Sequence, residues 1–335
     1  MKTINLFRVV LITTCMGLFF ACKKDNSANG GSSNNNQNDL QTQADDQAQV
    51  SDEDEAVTND VNTALYSQAS LAGNGSASVE SGTTTINSTE KSDGINGPIT
   101  GLICDATVEV NTTSDPRTVT ITYNGTNCRG NRKREGVVVI SIPAGIHWGD
   151  VGATVTISIQ SLKITRMSDK KSIVLDGTKT ITNVSGGLLV NLASLQSITH
   201  KIQGDLSITF ASGKQRQWSV FKQRVFSYEN GIVITTTGLH TDSLNNSNVA
   251  EWGTNRFGTA FESLISQPKI IRQDCDFRLT AGQNTILRSD NITSVVTYGL
   301  DANGEPTSCP GTGNYYFKAV VTTANGTSYT IIFPY

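Results

Sequence analysis

The stretch that most restricts the fold runs from Cys104 to Gly136, CDATVEVNTTSDPRTVTITYNGTNCRGNRKREG, because the chain returns to the same plan near its end. From Cys275 to Phe333 a cysteine again leads into a β-rich run, a Tyr-Gly turn, a second cysteine, a glycine and a further β-rich run. Val119 to Gly125 answers to Ser294 to Gly299, Cys128-Arg129-Gly130 to Cys309-Pro310-Gly311, and Val137 to Ile140 to Phe317 to Val321, with Asp301 to Gly304 inserted in the second copy. Such self-similarity reads as a duplicated β unit, each copy closed by its own pair of cysteines.

From Ile99 onward the whole chain is β-branched alternation broken by Asn-Gly, Asp-Gly and Gly-Gly turns, the pattern of half-buried strands. Strands are expected over 118–123, 136–142, 153–164, 172–175, 178–183, 188–192, 198–210, 216–228, 232–239, 292–298, 315–323 and 328–333. Asn230-Gly231 and Asn325-Gly326 mark hairpins, since a type I′ turn needs positive φ at both central residues. Several runs exceed the common strand length of about five or six residues. The expected fold class is therefore mainly β: long antiparallel strands in twisted sheets, sandwich-like or curled, with one short N-terminal helix. The β-rich body spans 98–335, as one domain or as two subdomains split near 190–250.

Residues 1–21 carry Lys2 and Arg8 ahead of an apolar run from Val9 to Phe20, too short to span a bilayer, and read as a secretory signal. Its end, Leu18-Phe19-Phe20-Ala21-Cys22, resembles the lipobox of bacterial lipoproteins, which implies acylation of Cys22 as the mature N-terminus. Cys22-Lys23-Lys24-Asp25-Asn26 resembles the start of mature lipoproteins in Bacteroidota, where such a run implies the outer membrane and display at the cell surface. Residues 22–50 are nearly all Ser, Asn, Gln, Gly, Ala and Asp and read as a disordered tether. In 51–72, Ser51 and the acids Asp52 to Glu55 form the expected start of an acidic amphipathic helix, dipole-matched and solvated. Residues 73–97 are Gly/Ser/Thr-rich and read as a linker.

Of six cysteines, Cys15 leaves with the signal and Cys22 takes lipid, which leaves four in an oxidising compartment. Four cysteines allow three pairings, and the repeat favours Cys104–Cys128 and Cys275–Cys309. No CxxC spacing or nearby histidine points to a metal instead.

Catalytic motifs do not emerge: HExxH, GxSxG, a strand-borne GxGxxG, a Walker loop and EF-hand spacing are all missing from the sequence. No catalytic, cofactor-binding or metal-binding residue is assigned, and a net charge of −3 gives no sign of nucleic-acid binding. Ligand-binding candidates are Trp148 and Trp252, as stacking platforms for sugars, and Arg129 and Arg132 of the basic run RGNRKRE, as anchors for an anionic glycan or lipid phosphate. Against these stand plainer readings, a tryptophan buried in the core and a solvated hairpin loop.

The order of features, with ITYNGTNCRGNRKREG, VLDGTKTITN, Glu251 to Gly258 (EWGTNRFG) and VVTYG near the end, resembles a group of Bacteroidota outer-membrane and surface lipoproteins to which no activity is assigned. The resemblance implies a lipid anchor and an envelope location and brings no catalytic residue. The function expected is that of a lipid-anchored, non-enzymatic binding or structural β scaffold, with a glycan or an envelope protein as partner. The alternative is a surface glycan hydrolase with a carboxylate pair in a cleft beside Trp148 or Trp252.

Overall fold

The computed structural model of the chain describes residues 33–66, 69–73, 83–87, 103–311 and 313–335. The signal region and Cys22 lie outside the described residues. Fifteen strands make one antiparallel sheet. They are β1 Thr83–Asn87, β2 Ala106–Asn111, β3 Arg117–Thr126, β4 Arg132–Ile142, β5 Ala153–Arg166, β6 Ser172–Asn183, β7 Ser197–Phe210, β8 Gln215–Tyr228, β9 Ile232–Gly238, β10 Val249–Thr254, β11 Ala260–Arg272, β12 Arg278–Arg288, β13 Thr293–Leu300, β14 Tyr316–Thr322 and β15 Ser328–Pro334. The α-helices among the described residues are α1 Ser33–Tyr66, α2 Ala69–Ala72 and α3 Leu192–Leu195.

Chain order is spatial order, with one detour. β9 and β10 sit end to end between β8 and β11: β9 pairs with Lys222 to Tyr228 and Lys269 to Arg272, β10 with Gln217 to Val220 and Ala260 to Leu264. The sheet thus runs unbroken through 190–250, and mainly β with long antiparallel strands is what the chain forms, curled rather than paired into a sandwich. β2, β10, β11 and β12 add to the strands expected from sequence, whereas 188–192 is a 3₁₀ turn leading into α3. β1 falls in the stretch read as a linker.

Burial alternates along the strands, so one face points inward and the other to solvent. In β5, Val155, Ile157, Ile159, Leu162 and Ile164 are buried, and in β7 Ile198, Ile202, Leu206, Ile208 and Phe210. The switch of phase after Ile159 is a bulge opposite Gly136, where Ser161 adopts φ 48°. A Cβ on Gly136 (φ 138°) would stand 2.6 Å from the Leu162 Cα, so only glycine admits this close crossing. Bulges of this kind bend strands and increase twist, which curls a wide sheet.

What the curl wraps is α1, and here two expectations are corrected. The helix does not begin at Ser51 but at Ser33, so residues 33–50 are helix rather than tether and Asp52 to Glu55 lie in mid-helix rather than at its start. Nor is it solvated: from Gln43 to Val50 every residue is buried, and acids and amides face inward as often as Val57, Val61 and Leu65. The physical reason is that its polar side chains are bonded to cations on the inner face of the sheet, which offsets their desolvation. Bonds reach from α1 to β3, β4, β5, β6, β8, β10 and β11, so the sheet surrounds it. The segment from Gln43 to Tyr66 passes between opposite rims over about 36 Å. Asp45 is bonded near the β5–β6 turn, while Trp148 and Gly149, in the β4–β5 connection at the other rim, donate to the Leu71 and Ala72 carbonyls at 2.7 and 3.0 Å.

The duplication seen in sequence recurs in topology. Cys104 precedes β2 and Cys128 lies between β3 and β4; Cys275 precedes β12 and Cys309 lies between β13 and β14. The disulfides are Cys104–Cys128 and Cys275–Cys309, each with Cα atoms 5.2 Å apart. Tyr123 and Tyr298, equivalent in the two copies, are both buried. In an up-and-down meander the β3–β4 and β11–β12 turns belong to opposite rims. Arg129 nevertheless donates to the Asp276 carbonyl, so the strands are steeply tilted and the two stapled units meet corner to corner.

Candidate ligand-binding site

The inner face of the sheet carries lysines and arginines at positions that share the phase of its apolar residues. In β8 the inward series is Arg216, Trp218, Val220, Lys222, Arg224 and Phe226, all buried. β6 contributes Lys179, β4 Arg132 and Arg134, and β11 Lys269. The helix answers with acids. Asp54 accepts from Lys179 and from Lys222 (2.9 Å), and Lys222 also reaches Glu55 at 2.5 Å. Burial alone would raise the Asp54 pKa, but Lys179 and Lys222 outweigh it and hold the carboxyl well below the usual carboxylate range.

Further along, Arg134 clamps Asp105 through two bonds of 2.6 Å and Asp60 through a third, beneath the Tyr123 ring. Arg132 pairs with Glu53 and Asp52, Arg166 with Asp45 at 2.8 Å, and Arg256 with Asp46 at 2.6 Å. Burial pushes the Asp46 carboxyl up to about 6 despite Arg256. The wall supplies one acid of its own: Glu251 of β10 accepts from Ser51 at 2.7 Å, from Gln47, and from Trp218 at 3.3 Å. The run EWGTNRFG is therefore the dock for the first half of α1, with Asn255 closing its turn by accepting from the Phe257 and Thr259 amides at 2.9 and 3.0 Å.

Beside α1 the curl leaves a cavity of about 770 Å³, within the span of about 300–1,000 Å³ usual for small-molecule sites. Ser51, Glu55, Asn59 and Asn62 line it from the helix, Phe226, Ile232, Ile234, Ile271 and Leu279 supply an apolar wall, and Lys269 and Tyr298 face it from β11 and β13. Arg129, Arg278, Phe277, Gly311 and Tyr335 stand around it at the corner where the disulfide units meet. Lys269 is 2 % exposed, and its ammonium donates to the Ser51 hydroxyl at 3.1 Å; burial pulls its pKa down, partly offset by Glu251. The Asn62 amide and the Tyr298 hydroxyl, both buried, have no hydrogen-bond partner among the described residues.

The sequence candidates divide. Arg129 and Arg132 both line the cavity, with Arg134 two residues on. The plainer reading of their run as a solvated hairpin loop holds for Arg129 and Gly130, which are exposed in the turn, and is corrected from Arg132 on: β4 begins there, so alternation turns Arg132 and Arg134 inward while Lys133 and Glu135 pair outside. Trp148 is fully buried, edge-on to His200 at 5.0 Å, and offers no platform to a sugar. Trp252 lies on the outer face, stacked on His240 at 4.3 Å. Close by, Asp242 and Glu262 share a hydrogen bond, and burial followed by Asp242 pushes Glu262 up to about 7. That pair suits the sharing of one proton rather than the spacing of about 5–10 Å that flanks a glycosidic bond. Asp274, Cys275 and Cys309 bring ligand-type atoms within 4.8 Å, but both sulfurs are spent in the disulfide.

Sequence reasoning missed Lys179, Lys222, Lys269, Tyr298 and Asn62. The lysines carried a signal, since each is a charge in the apolar phase of its strand. No protein family, curated protein or solved structure matches the chain. Among the described residues no helix is long and apolar enough to cross a membrane.

Proposed function

We propose that the protein is a lipid-anchored protein of the outer membrane, held through Cys22, that binds a ligand without catalysis in the cavity beside α1. The cavity carries this reading: it opens between the sheet and α1, and it presents buried polar groups that have no partner among the described residues. Buried polar groups are ordinarily satisfied, so unpaired ones converging on a cavity mark where a ligand completes the bonding. The anchor is supported by the lipobox-like Leu18 to Cys22 and by the basic and apolar run before it. Ser33, where α1 begins, follows Cys22 by only eleven residues. Eleven residues span at most about 36–40 Å when fully extended, which bounds the distance of the body from the anchor.

Native mass spectrometry of the protein released from envelopes tests the binding. A bound small molecule that is lost on substitution of Ile234 by Trp, which fills the cavity, is the expected result. Protein that is uniformly empty, and that binds nothing when offered envelope extracts, contradicts it. Labelling with palmitate that vanishes in Cys22→Ser tests the anchor, and protease treatment of intact against lysed cells decides between surface and periplasmic orientation.

A further inference from the structure

Along α1 several wall cations meet carboxylates: Lys179 and Lys222 at Asp54, Arg132 at Glu53, Arg134 at Asp60 and Asp105. Two buried ones bond to neutral groups instead: Arg216 to the Gln47 amide oxygen, away from the cavity, and Lys269, which lines it. Lys269 is as buried as the paired cations, yet its hydrogen-bond partner is the neutral Ser51 hydroxyl, and it pairs with no carboxylate among the described residues. Its ammonium lies 5.4 Å from the centre of the Tyr298 ring, whose hydroxyl is also without a partner. At the mouth of the cavity stand two further cations, the exposed Arg129 and the half-buried Arg278: their guanidiniums bond to the backbone carbonyls of Asp276 and of Cys275, Gly311 and Gly313, and neither forms an ion pair among the described residues. Three cations with no carboxylate partner among the described residues therefore stand around a space lined by hydrocarbon from Phe226, Ile232, Ile234, Ile271 and Leu279; the acids that also line it, Asp52, Glu53, Glu55 and Asp60, are paired with Arg132, Lys222 and Arg134. A buried cation favours an anion as its missing partner, and the apolar wall favours a chain that removes its surface from water.

Resting on the binding reading above, we propose that the ligand is an amphiphilic anion, a single apolar chain with a carboxylate or phosphate head. The head lies on the Lys269 ammonium and accepts from the Tyr298 hydroxyl, and the chain runs along Ile234 and Ile271. Arg129 and Arg278 draw the anion to the cavity from outside.

The test uses the full chain carrying Cys22→Ser, so that no acyl anchor competes, and measures binding of four probes by titration calorimetry: dodecanoate, dodecyl phosphate, the neutral monolaurin and inorganic phosphate. At least one of the two anionic amphiphiles is expected to bind ten-fold or more tighter than monolaurin. Which of them binds tighter distinguishes a fatty acid from a phospholipid-derived source, and either supports the proposal. Lys269→Met is expected to reduce the preference over monolaurin below three-fold. This variant removes a buried cation and keeps its volume, so a melting temperature at or above that of the parent shows that the fold is intact. Monolaurin binding as tightly as both anions overturns the anionic head while leaving the cavity as a binding site. Inorganic phosphate binding as tightly as dodecyl phosphate overturns the apolar chain. If no amphiphile binds, the binding reading itself falls with the proposal.

Discussion

The carboxylate of Asp54 in α1 accepts a hydrogen bond from the Lys222 ammonium of β8 at 2.9 Å, with both side chains 1 % exposed. The pair lies deep in the curl, and Lys179 of β6 approaches the same carboxylate from the neighbouring side of the wall. A charge so placed is tolerable only while its partners are present.

Removal of the Asp54 charge therefore leaves two buried ammoniums facing a neutral amide. Asp54→Asn is expected to destabilise the protein by about 3–5 kcal/mol, the usual cost of breaking a buried pair. Urea unfolding followed by tryptophan fluorescence measures it. A second substitution, Lys179→Met, should recover part of the loss, because it removes one of the stranded charges; a purely additive double variant would contradict the shared network.

His200 predicts a separate acid sensitivity. Its ring is buried between Trp148 and Phe226, with centroids 5.0 and 4.7 Å away, and neither nitrogen has a partner among the described residues. Burial, assisted by Arg224, pulls its pKa from 6.5 down to about 3. Between those values the unfolded chain binds the proton and the folded chain does not. The contribution of His200 is thus fully present above pH 6.5 and is lost as pH falls towards 3. At pH 5 the loss relative to pH 7 is about 2 kcal/mol. His200→Phe should flatten the stability curve across this window, and melting temperatures taken at intervals from pH 7 to pH 4 would show it.

The two disulfides should contribute comparably. Cys104–Cys128 closes a separation of 24 residues and Cys275–Cys309 one of 34, for which loop closure gives about 3–4 kcal/mol each. Cys128→Ser and Cys309→Ser are each expected to lower the denaturation midpoint, and the effect should be reproduced by reductant in the parent and be absent from the variant lacking that bond.

Gly177 of β6 is a point where the curl forbids a side chain. It has φ 139°, and a Cβ there would stand 2.4 Å from the Asp205 carbonyl oxygen of β7. Gly177→Ala should cost about 1–3 kcal/mol through backbone strain, read as a fall in melting temperature without loss of strand content.

These features differ in how far the sequence discloses them. Strand content, antiparallel pairing and the disulfides were legible because β-branched alternation, Asn-Gly turns and the repeated cysteine spacing are local signals. The fate of α1 was not. Gln43 to Glu55 has the composition of a solvated segment, and nothing within it reveals that a wall of cations covers it. The complementary half of that signal lay far away in the chain, in Lys179, Lys222 and Arg224, each in phase with apolar neighbours on its strand. A charge in an inward phase announces a buried partner, but not which one. Arg129 and Arg132 were found by their density in the chain; Lys269, isolated in SQPKIIR, was not.

The most direct test of the account is hydrogen exchange of the α1 amides in the intact chain, because everything described for the interior depends on the helix lying within the curl. Amides from Gln43 to Tyr66 should exchange as slowly as those of β7 and β8. Exchange of that segment within seconds, as in a free tail, while β7 and β8 remain protected, would contradict the account.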